Sequence, residues 1–236
     1  MSIHAAFAKM RGGEQLAELS PVRTMRDGDR DRWDEFVRAN CNATFYHLSG
    51  WRHVLENVLG HRAHYLLVER EGSIEGVLPL GHVRSLLFGN ALISVPFLVY
   101  GGPVASTPEA RQALVEAACR LADELGVDYL ELRNLEPLPD LPIKTQYVTF
   151  RKHIEPDPEA NLKAVPRKQR AMIRNRIKAQ LSAETDADTS RLYATLSECK
   201  RNLGTPFFGR RYLDAIVETF PDETEILTVT REGETV

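Results

Sequence analysis

One stretch of the sequence has the same pattern of apolar residues as a second stretch 161 positions further along the chain. Residues 51–73, WRHVLENVLGHRAHYLLVEREGS, align without a gap with residues 212–234, YLDAIVETFPDETEILTVTREGE. Both stretches show apolar residues at helical spacing, then a strand-like run, and then the sequence Arg-Glu-Gly. The repeat therefore predicts that the chain builds the same helix–strand–turn unit twice, which we interpret as an internal duplication.

The patterns around the first copy predict the element order β-α-α-β-β-β-α-β-β over residues 20–155, a mixed α/β arrangement. The clearest helix has Thr107 as its N-cap, Pro108 at its first position and Gly126 at its end. The segment QYVTFRKHI, residues 146–154, is predicted as the last strand of this part. Further along, we expect a helix over about 158–181, a short strand, two more helices and a strand that enters the repeated turn.

These elements predict a flexible leader over residues 1–19, a first domain over 20–155 and the opening part of a second domain over 156–236. In the second copy the strand that should return after the turn is cut short, which would leave unpaired backbone groups. We therefore expect the chain to be a fragment of a longer protein.

The composition is typical of an ordinary soluble globular protein, with 43% apolar residues, 27% charged residues and a net charge of -3. This balance argues against nucleic-acid or membrane binding by the surface as a whole. No apolar run reaches the roughly 18 residues of a membrane span, and the N-terminus lacks a signal-peptide core, so we predict a cytoplasmic protein. Cys41, Cys119 and Cys199 form no CxxC pair and are interpreted as reduced thiols that fill small buried sites.

Against this near-neutral background, residues 164–181, AVPRKQRAMIRNRIKAQL, contain six cations and no acid. On a helix, four of these cations would lie along one stripe: Arg167, Arg170, Arg174 and Lys178. Lys168 would lie outside that stripe. The adjacent stripe of Ile173, Ile177 and Leu181 is expected to pack on the protein. Two interpretations stay open, namely a row that binds the phosphates of a diphosphate or an RNA backbone, and a solvated face balanced by acids elsewhere.

Other motifs also allow two interpretations. In YGGPV, residues 100–104, Tyr100 and the amides of Gly101 and Gly102 could line a substrate groove, or the segment could be a plain turn from a strand to a helix. In GTPFFGRRY, residues 204–212, the aromatic pair before two arginines could stack on bases or sugars, or could staple the next helix. The histidines of residues 47–64 do not share a face, so no metal site is predicted.

Four motifs in this order resemble the Fem family of peptidoglycan aminoacyltransferases: FYHLSGWRHV (45–54), YGGPV (100–104), PRKQRAMIRNRIK (166–178), and GTPFFGRRYLDAI with VTREGE (204–216 and 229–234). They extend over nearly all of the chain after residue 40. In style they are most similar to the FemAB-related or BioF2-like acetyltransferase domains found with exosortase and exopolysaccharide systems. The resemblance implies two domains of the GCN5-related N-acetyltransferase fold, the second of them incomplete here.

The resemblance also implies the chemistry. An acyl or aminoacyl group, carried by transfer RNA or by a thioester, would be attacked by an amine on a phosphate-bearing cell-envelope or exopolysaccharide precursor, and an amide would form. No tightly bound cofactor and no covalent enzyme intermediate are implied, so the protein supplies positioning and charge stabilisation. Because the second domain is incomplete, we expect the fragment itself to be inactive.

The resemblance adds Trp51 and Arg52 to the substrate-binding candidates, although its residue type favours a core position for Trp51. Leu55 stands where the peptidoglycan branch has a lysine that binds a nucleotide diphosphate, which argues against the usual nucleotide-linked muropeptide. Residues 96–112 lack the R-x-x-G-x-G/A loop of single-domain acetyltransferases, which argues against the use of acyl-coenzyme A by the first domain. No catalytic residue is identified. The alternative function is a non-enzymatic anion- or RNA-binding module that uses the basic helix 166–178.

Overall fold

The structure, a computed structural model, describes residues 21–85, 89–138, 141–145, 148–177 and 181–235, without the side chains of residues 175–177. The chain divides into two compact units, Met1–Ile143 and Lys144–Val236. The sequence placed the corresponding boundary after residue 155, and the predicted leader lies outside the described residues. Among the described residues, no helix is both long enough and apolar enough to cross a membrane.

The described part of the first unit contains three α-helices and one sheet with a mixed strand order. Its elements in chain order are β1 (Val22–Thr24), α1 (Arg30–Ala39), α2 (Gly50–His53), β2 (Arg62–Arg70), β3 (Ser73–Ser85), β4 (Gly89–Ser94), β5 (Val104–Ala105), α3 (Pro108–Leu125) and β6 (Tyr129–Glu131). Helix α2 continues as one π-helical turn over Val54–Val58. The sheet order is β1-β2-β3-β4-β6, with β5 paired to β3, and only β4 and β6 run parallel.

Helix α3 covers one face of this sheet and forms the centre of the core. Its small residues Ala110, Ala113 and Ala118 are buried in one cluster with Leu66 and Val68 of β2. The predicted caps are confirmed, because the Thr107 side chain accepts a hydrogen bond from the Ala110 amide and Gly126 is left-handed with φ of 59°.

Over its described residues, the second unit contains four helices and a three-stranded antiparallel sheet. Its elements are α4 (Pro158–Ala164), α5 (Arg167–Ile177), β7 (Leu181–Thr185), α6 (Ser190–Asn202), α7 (Arg210–Thr219), β8 (Leu227–Arg231) and β9 (Glu234–Thr235). The sheet order is β7-β8-β9. The buried residues of this unit lie in α7, in the segment that enters β8, and in β8 itself, together with Thr189 before α6.

The hairpin turn of the repeat predicted from the sequence has the same backbone conformation in both units. Glu71 and Gly72 have φ of 51° and 80°, and Glu232 and Gly233 have φ of 53° and 85°, so the same hairpin turn forms twice. The correspondence extends upstream of the matched sequence. Val22 pairs with Val68 in the first unit, and Ala183 pairs with Val229 in the second, each pair separated from the other by the same 161 positions.

The two copies differ in what covers their sheets. Leu66 and Val68 are buried beneath α3, whereas the equivalent Leu227 and Val229 are 63% and 37% exposed. On the opposite face of β8, Thr228 and Thr230 are buried. The second copy therefore keeps the register of the first without the apolar layer on one face.

The predicted helix over 158–181 is wrong in its extent. Helix α4 ends at Ala164, Val165 is extended with ψ of 135°, and α5 begins at Arg167. Pro166 explains the break, since a proline removes a backbone donor and disfavours helical geometry at the residue before it. Leu181 belongs to β7 rather than to the helix.

The predicted strand at residues 146–154 does not form over its described part, 148–154. Its apolar residues are strongly exposed, with Phe150 at 92%. The interpretation of the cysteines is correct only for Cys119, which is buried; Cys41 and Cys199 are exposed, and all three are free. Both exposed cysteines lie close to helix ends, where a helical apolar pattern no longer decides which side faces the core.

Candidate functional site

The carboxyl ends of β4 and β6 lie side by side in the first unit, because these two strands are parallel. Ile93 pairs with Glu131, and two residues later the Arg133 amide donates to Ser94 Oγ at 2.7 Å. The carboxyl ends of parallel strands are where open α/β sheets bind ligands. The connection that follows β4, residues 95–103, crosses this edge of the sheet, and we call it the 95–103 loop.

The 95–103 loop holds two non-glycine residues in unusual backbone conformations. Val95 has φ of 41° and Phe97 has φ of 70°, values that are costly for bulky side chains and rare outside functional or strongly constrained positions. Val95 is buried, whereas Phe97 is exposed and its ring stacks on His61 at 5.5 Å. Burial, and next the proximity of His82, lower the pKa of His61.

Gly101 and Gly102 are required by packing, and their amides are already used. A Cβ on Gly101 would lie 1.9 Å from Val95 Cγ2, and one on Gly102 would lie 1.8 Å from Asn134 Oδ1. Both glycine amides donate to the Arg133 carbonyl, at 3.1 and 3.2 Å. The geometry therefore favours a structural role for the two glycines, and it leaves Tyr100, which is half-buried, as the part of this motif that can face a ligand.

Arg133 connects the end of β6 to the 95–103 loop through both its backbone and its side chain. Its guanidinium donates to the Leu98 carbonyl and to Glu131 Oε1, the latter at 2.8 Å. With the bonds to Ser94 and to the two glycines, this one residue ties the loop at several points. Such multiple restraint is what allows strained residues to persist.

His47 contacts the 95–103 loop near its C-terminal end, at Gly102. It ends a short 3-10 helix, Phe45–His47, and its ring is buried. Its Nδ1 accepts from the Thr44 amide at 3.0 Å, and its Nε2 lies 2.9 Å from the Gly102 carbonyl. Burial is the main reason that the pKa of His47 is lowered.

Trp51 and Arg52, the two candidates on α2, lie in different environments. Trp51 is buried, donates from Nε1 to the Phe45 carbonyl at 3.2 Å and packs edge-on against the Phe45 ring, which favours its interpretation as a core residue. Arg52 is half-buried and pairs with Asp27 at 3.0 Å and with Glu56 at 3.3 Å. Its charge is therefore balanced locally.

Three cations of helix α5 in the second unit face solvent. Arg167, Lys168 and Arg174 are exposed, and none of them forms an ion pair with any residue that the structure describes. No acidic residue lies on α5. By contrast Arg191 on α6 is paired with two acids, Glu184 and Asp186. A cation without a neighbouring acid is free to bind an anion.

The remaining positions of the basic stretch behave differently. Arg170 is half-buried and its Nη2 donates to the Val165 carbonyl at 3.2 Å, so it helps to close the end of α4. Lys178 lies outside the described residues. The predicted anchoring stripe is wrong at its two members with described side chains, because Ile173 and Leu181 are exposed.

The aromatic motif of the second unit keeps both of its interpretations. Phe208 packs against the buried Tyr212 at 4.5 Å, as a helix staple would, and Phe207 is exposed with the Lys200 ammonium 5.8 Å from its ring. Arg210 points to α6, where it bonds Thr189 and Ser190. No group of three potential metal ligands is present among the described residues.

Sequence reasoning did not find Val95, Phe97, Arg133 or His47. The positive φ angles of Val95 and Phe97 have no sequence signal, since neither residue type favours that region. The roles of Arg133 and His47 arise from contacts across 30 to 55 positions of sequence. The adjacent glycines of YGGPV were the one available signal, because a glycine pair indicates close backbone approach.

Comparisons with known proteins show similarity in structure only. No protein-family model matches the sequence, and no curated protein matches it. A crystal structure of FemX is similar with a TM-score of 0.58 and 16% identity, over 89% of this chain and 58% of the FemX chain. The chain thus spans little more than half of the length of FemX.

Two further solved structures match with lower scores. They are a transcriptional regulator from Bacillus halodurans C-125, with a TM-score of 0.41 and 13% identity, and a ribosomal-protein-alanine N-acetyltransferase from Brucella melitensis biovar Abortus 2308, with 0.37 and 11%. Each match covers 57% of this chain and 99% of the other. Scores this low carry no conclusion by themselves. Among these comparisons, the likeness to FemX is therefore the one that supports the mixed α/β fold of the chain.

Proposed function

We propose that the chain is part of an acyl- or aminoacyltransferase that forms an amide on an amine of a phosphate-bearing precursor, of the cell-envelope or exopolysaccharide type. The fold it shares with FemX supports the reaction class. The observation that carries the choice of substrate is that three cations of α5, Arg167, Lys168 and Arg174, are exposed and form no ion pair with any described residue.

The chemistry asks little of the protein beyond positioning. The amine nitrogen attacks the carbonyl carbon of the donor, a C–N bond forms, and the C–O bond of an ester or the C–S bond of a thioester breaks. The proton lost by the amine ends on the departing oxygen or sulfur. A transferase of this kind works by holding two substrates in line and by neutralising charge, rather than through a covalent intermediate.

The contribution of α5 is to bind the anionic part of a substrate. Guanidinium groups make paired hydrogen bonds to phosphate oxygens, and three exposed cations within two helical turns suit a diphosphate. In the first unit, Tyr100 of the 95–103 loop, beside the carboxyl ends of β4 and β6, is the proposed contact for the acyl donor or the acceptor. Aminoacyl-RNA and acyl thioesters are the donor classes that the proposal admits.

The binding step is tested with pyrophosphate as the probe, by calorimetric titration of the whole chain and of the double variant Arg167→Glu, Arg174→Glu. We leave Arg170 unchanged because it bonds to the end of α4. Two lost charge-assisted contacts should weaken binding by about tenfold or more. Arg201→Glu, a change at an exposed arginine of α6, is the control and should have little effect. Equal affinity of the double variant and the parent would refute phosphate binding by α5.

The reaction is tested by mass spectrometry, with aminoacyl-RNA and acyl-thioester donors offered together with phosphate-bearing amines. The chain and any longer natural form of it are both assayed. An amide product that depends on Arg167 and Arg174 supports the transferase. Salt-sensitive RNA binding through α5 without any product, in every form of the protein, would instead identify an anion- or RNA-binding module.

A further inference from the structure

A continuous part of the second unit, residues 148–174, carries large apolar side chains on its surface. Every residue of this stretch is described, and none of them is buried. Val148, Phe150, Ile154 and Met172 are 75%, 92%, 76% and 59% exposed. Apolar side chains that are this accessible to water gain free energy when another apolar surface covers them, and a group of them marks an interaction site.

The same stretch is strongly basic. It contains seven arginines and lysines and only three acids, in a chain whose net charge is -3. The three acids are confined to residues 155–159, and one of them, Asp157, caps α4 by accepting from the Glu159 and Ala160 amides. Before and after this turn, the only charged side chains of the stretch are cationic.

The cationic and the apolar side chains are interleaved along the stretch. Phe150 is followed by Arg151 and Lys152 in the sequence. On α5, Lys168 and Met172 are four positions apart, which puts them on one face of the helix. Lys152 and Lys168 are exposed, and neither forms an ion pair with any residue that the structure describes. Exposed apolar groups beside lysines and arginines are typical of segments that lie on an anionic bilayer.

We propose that residues 148–174, the basic–apolar segment, bind the surface of an anionic lipid bilayer. The cations pair with the phosphates of the lipid head groups, and the side chains of Phe150, Ile154 and Met172 enter the boundary between head groups and acyl chains. An RNA backbone would also pair with the cations, but RNA offers its bases to aromatic side chains for stacking and leaves aliphatic ones in water. The exposed aliphatic residues therefore favour the bilayer over RNA.

This inference goes beyond the proposed function, because binding to a bilayer requires no acyl transfer. The basic–apolar segment shares Arg167, Lys168 and Arg174 with the proposed phosphate site, and the phosphate group is the chemistry that the two ligands have in common. The apolar residues of the segment distinguish them, since they contribute to bilayer binding alone.

Binding is tested by flotation of the whole chain with vesicles of phosphatidylcholine, and with vesicles in which about one third of the lipid is phosphatidylglycerol. The chain should float with the anionic vesicles and stay in the soluble fraction with the neutral ones. Raising the NaCl concentration to about 0.5 M should weaken binding by about tenfold or more, because salt screens the cations. No binding to the anionic vesicles, or equal binding to both kinds, would overturn the proposal.

The double variant Phe150→Ser, Ile154→Ser removes apolar contacts without changing any charge. Both side chains are exposed, so the fold should be retained, which circular dichroism checks. Binding to the anionic vesicles should weaken by about tenfold or more. Leu203→Ser is the matched control and should bind like the parent, because Leu203 is 67% exposed and lies outside the basic–apolar segment. Unchanged binding of the double variant would refute insertion of the apolar residues.

The variant Phe150→Trp places a fluorophore at a strongly exposed position of the segment. Trp33 and Trp51 are buried, so a change in emission when vesicles are added reports on position 150. The emission should shift to shorter wavelength and should be quenched by brominated lipid. Vesicle-bound protein with unshifted and unquenched emission would contradict the proposal. This measurement decides the question even if the serine variants fail to fold.

Soluble probes separate a bilayer from a free phosphate group. The variant Arg167→Glu, Arg174→Glu should weaken the binding of both pyrophosphate and anionic vesicles, whereas Phe150→Ser, Ile154→Ser should weaken only the binding of vesicles. Glycerol phosphate that displaces the chain at the same concentration as the lipid head groups, or RNA that binds where vesicles do not, would overturn the proposal. Failure to detect acyl transfer would leave it standing, because its readout is vesicle binding.

Discussion

The two copies of the repeated unit share their backbone pairing but not their burial. In both, a short strand pairs with the strand that ends in the Glu-Gly turn, and the same backbone bond follows: the Met25 amide donates to Tyr65 in one, and the Asp186 amide donates to Ile226 in the other. Yet Leu66 is covered by α3, and its equivalent Leu227 is exposed. Register and coverage are therefore set by different causes.

The sheet faces that carry Tyr65 in the first unit and Thr228 in the second are both buried, but they differ in chemistry. In the first unit the ring of Trp33 stacks on Tyr65 at 5.2 Å. In the second unit the buried side of β8 carries threonines, and Thr228 Oγ1 donates to Asp186 at 2.6 Å. A sheet needs only alternation and a turn to fix its register, so the same topology tolerates an apolar or a hydrogen-bonded layer.

The ion networks beside the strands show a reversal of charge. Arg23 of β1 binds Asp29 and Glu69 at 2.6 Å each. At the position equivalent to Arg23 the second unit has Glu184, which binds Arg191 at 2.9 Å. Each network joins a strand to the start of the following helix, so the connection is kept although the signs are exchanged.

The largest expected difference between the copies is at Leu66 and Leu227. Leu66→Ala should reduce the free energy of unfolding of the first unit by about 3 kcal/mol, because it removes buried methyl groups and leaves a cavity beneath α3. Leu227→Ala should change the stability of the second unit by less than about 0.5 kcal/mol. Urea denaturation followed by tryptophan fluorescence reports the first unit, since both tryptophans, Trp33 and Trp51, lie there. Hydrogen exchange of β8 reports the second. Equal losses would show that Leu227 is covered in solution.

A second contrast lies in how tightly glycines are packed. Gly102→Ala should destabilise the first unit by about 2 kcal/mol, since the added Cβ would meet Asn134 Oδ1 at 1.8 Å. Gly209→Ala in the second unit is the control, because nothing lies within 4 Å of its Cβ position and its φ is -65°. Thermal unfolding of both variants checks the prediction. A neutral Gly102→Ala would mean that the 95–103 loop is looser than described.

The smallest expected contrast concerns the ion networks. The pKa of Asp29 is strongly lowered, first by its bonds to Arg23 and then by the Arg26 amide, and the pKa of Asp186 is lowered by Arg191 and Thr228. Asp29→Asn should cost about 1.5 kcal/mol near neutral pH. Asp186→Asn should cost less, because the network around Arg191 is more exposed.

The pH dependence of this contrast has a definite sign. A carboxylate whose pKa is lowered by folding stabilises the protein above the ordinary pKa of 3.8, and this contribution is lost as the pH falls below that value. The difference in urea midpoint between the Asp29→Asn variant and the parent should therefore shrink in acid. A difference that stays constant down to about pH 2 would contradict the assignment to Asp29.

The sequence predicted the local features of the fold well and its long-range packing poorly. The caps of α3 and the two Glu-Gly turns followed from residue types at fixed offsets. The predicted helix over 158–181 is too long, because the apolar and cationic periodicity continues through Pro166. The strand at 146–154 was predicted from alternation alone, and alternation does not supply a partner strand.

The candidate site likewise has features that were visible in the sequence and features that depend on long-range contacts. The cations of α5 were visible as a run without acids, and their exposure agrees with that pattern, although their role in binding stays a prediction. The glycine pair was visible too, but its amides are used by Arg133, a residue more than 30 positions away. Substrate contacts by Tyr100, Trp51 and Arg52 likewise stay predictions.

The sequence by itself determined the repeated unit and its turns, because each depends on side-chain periodicity and on residues within a few positions of one another. Only the tertiary structure decided which sheet face is covered and which amides of the 95–103 loop are already bonded. Those outcomes depend on groups that meet across tens of residues, and no local pattern of residue types records such meetings.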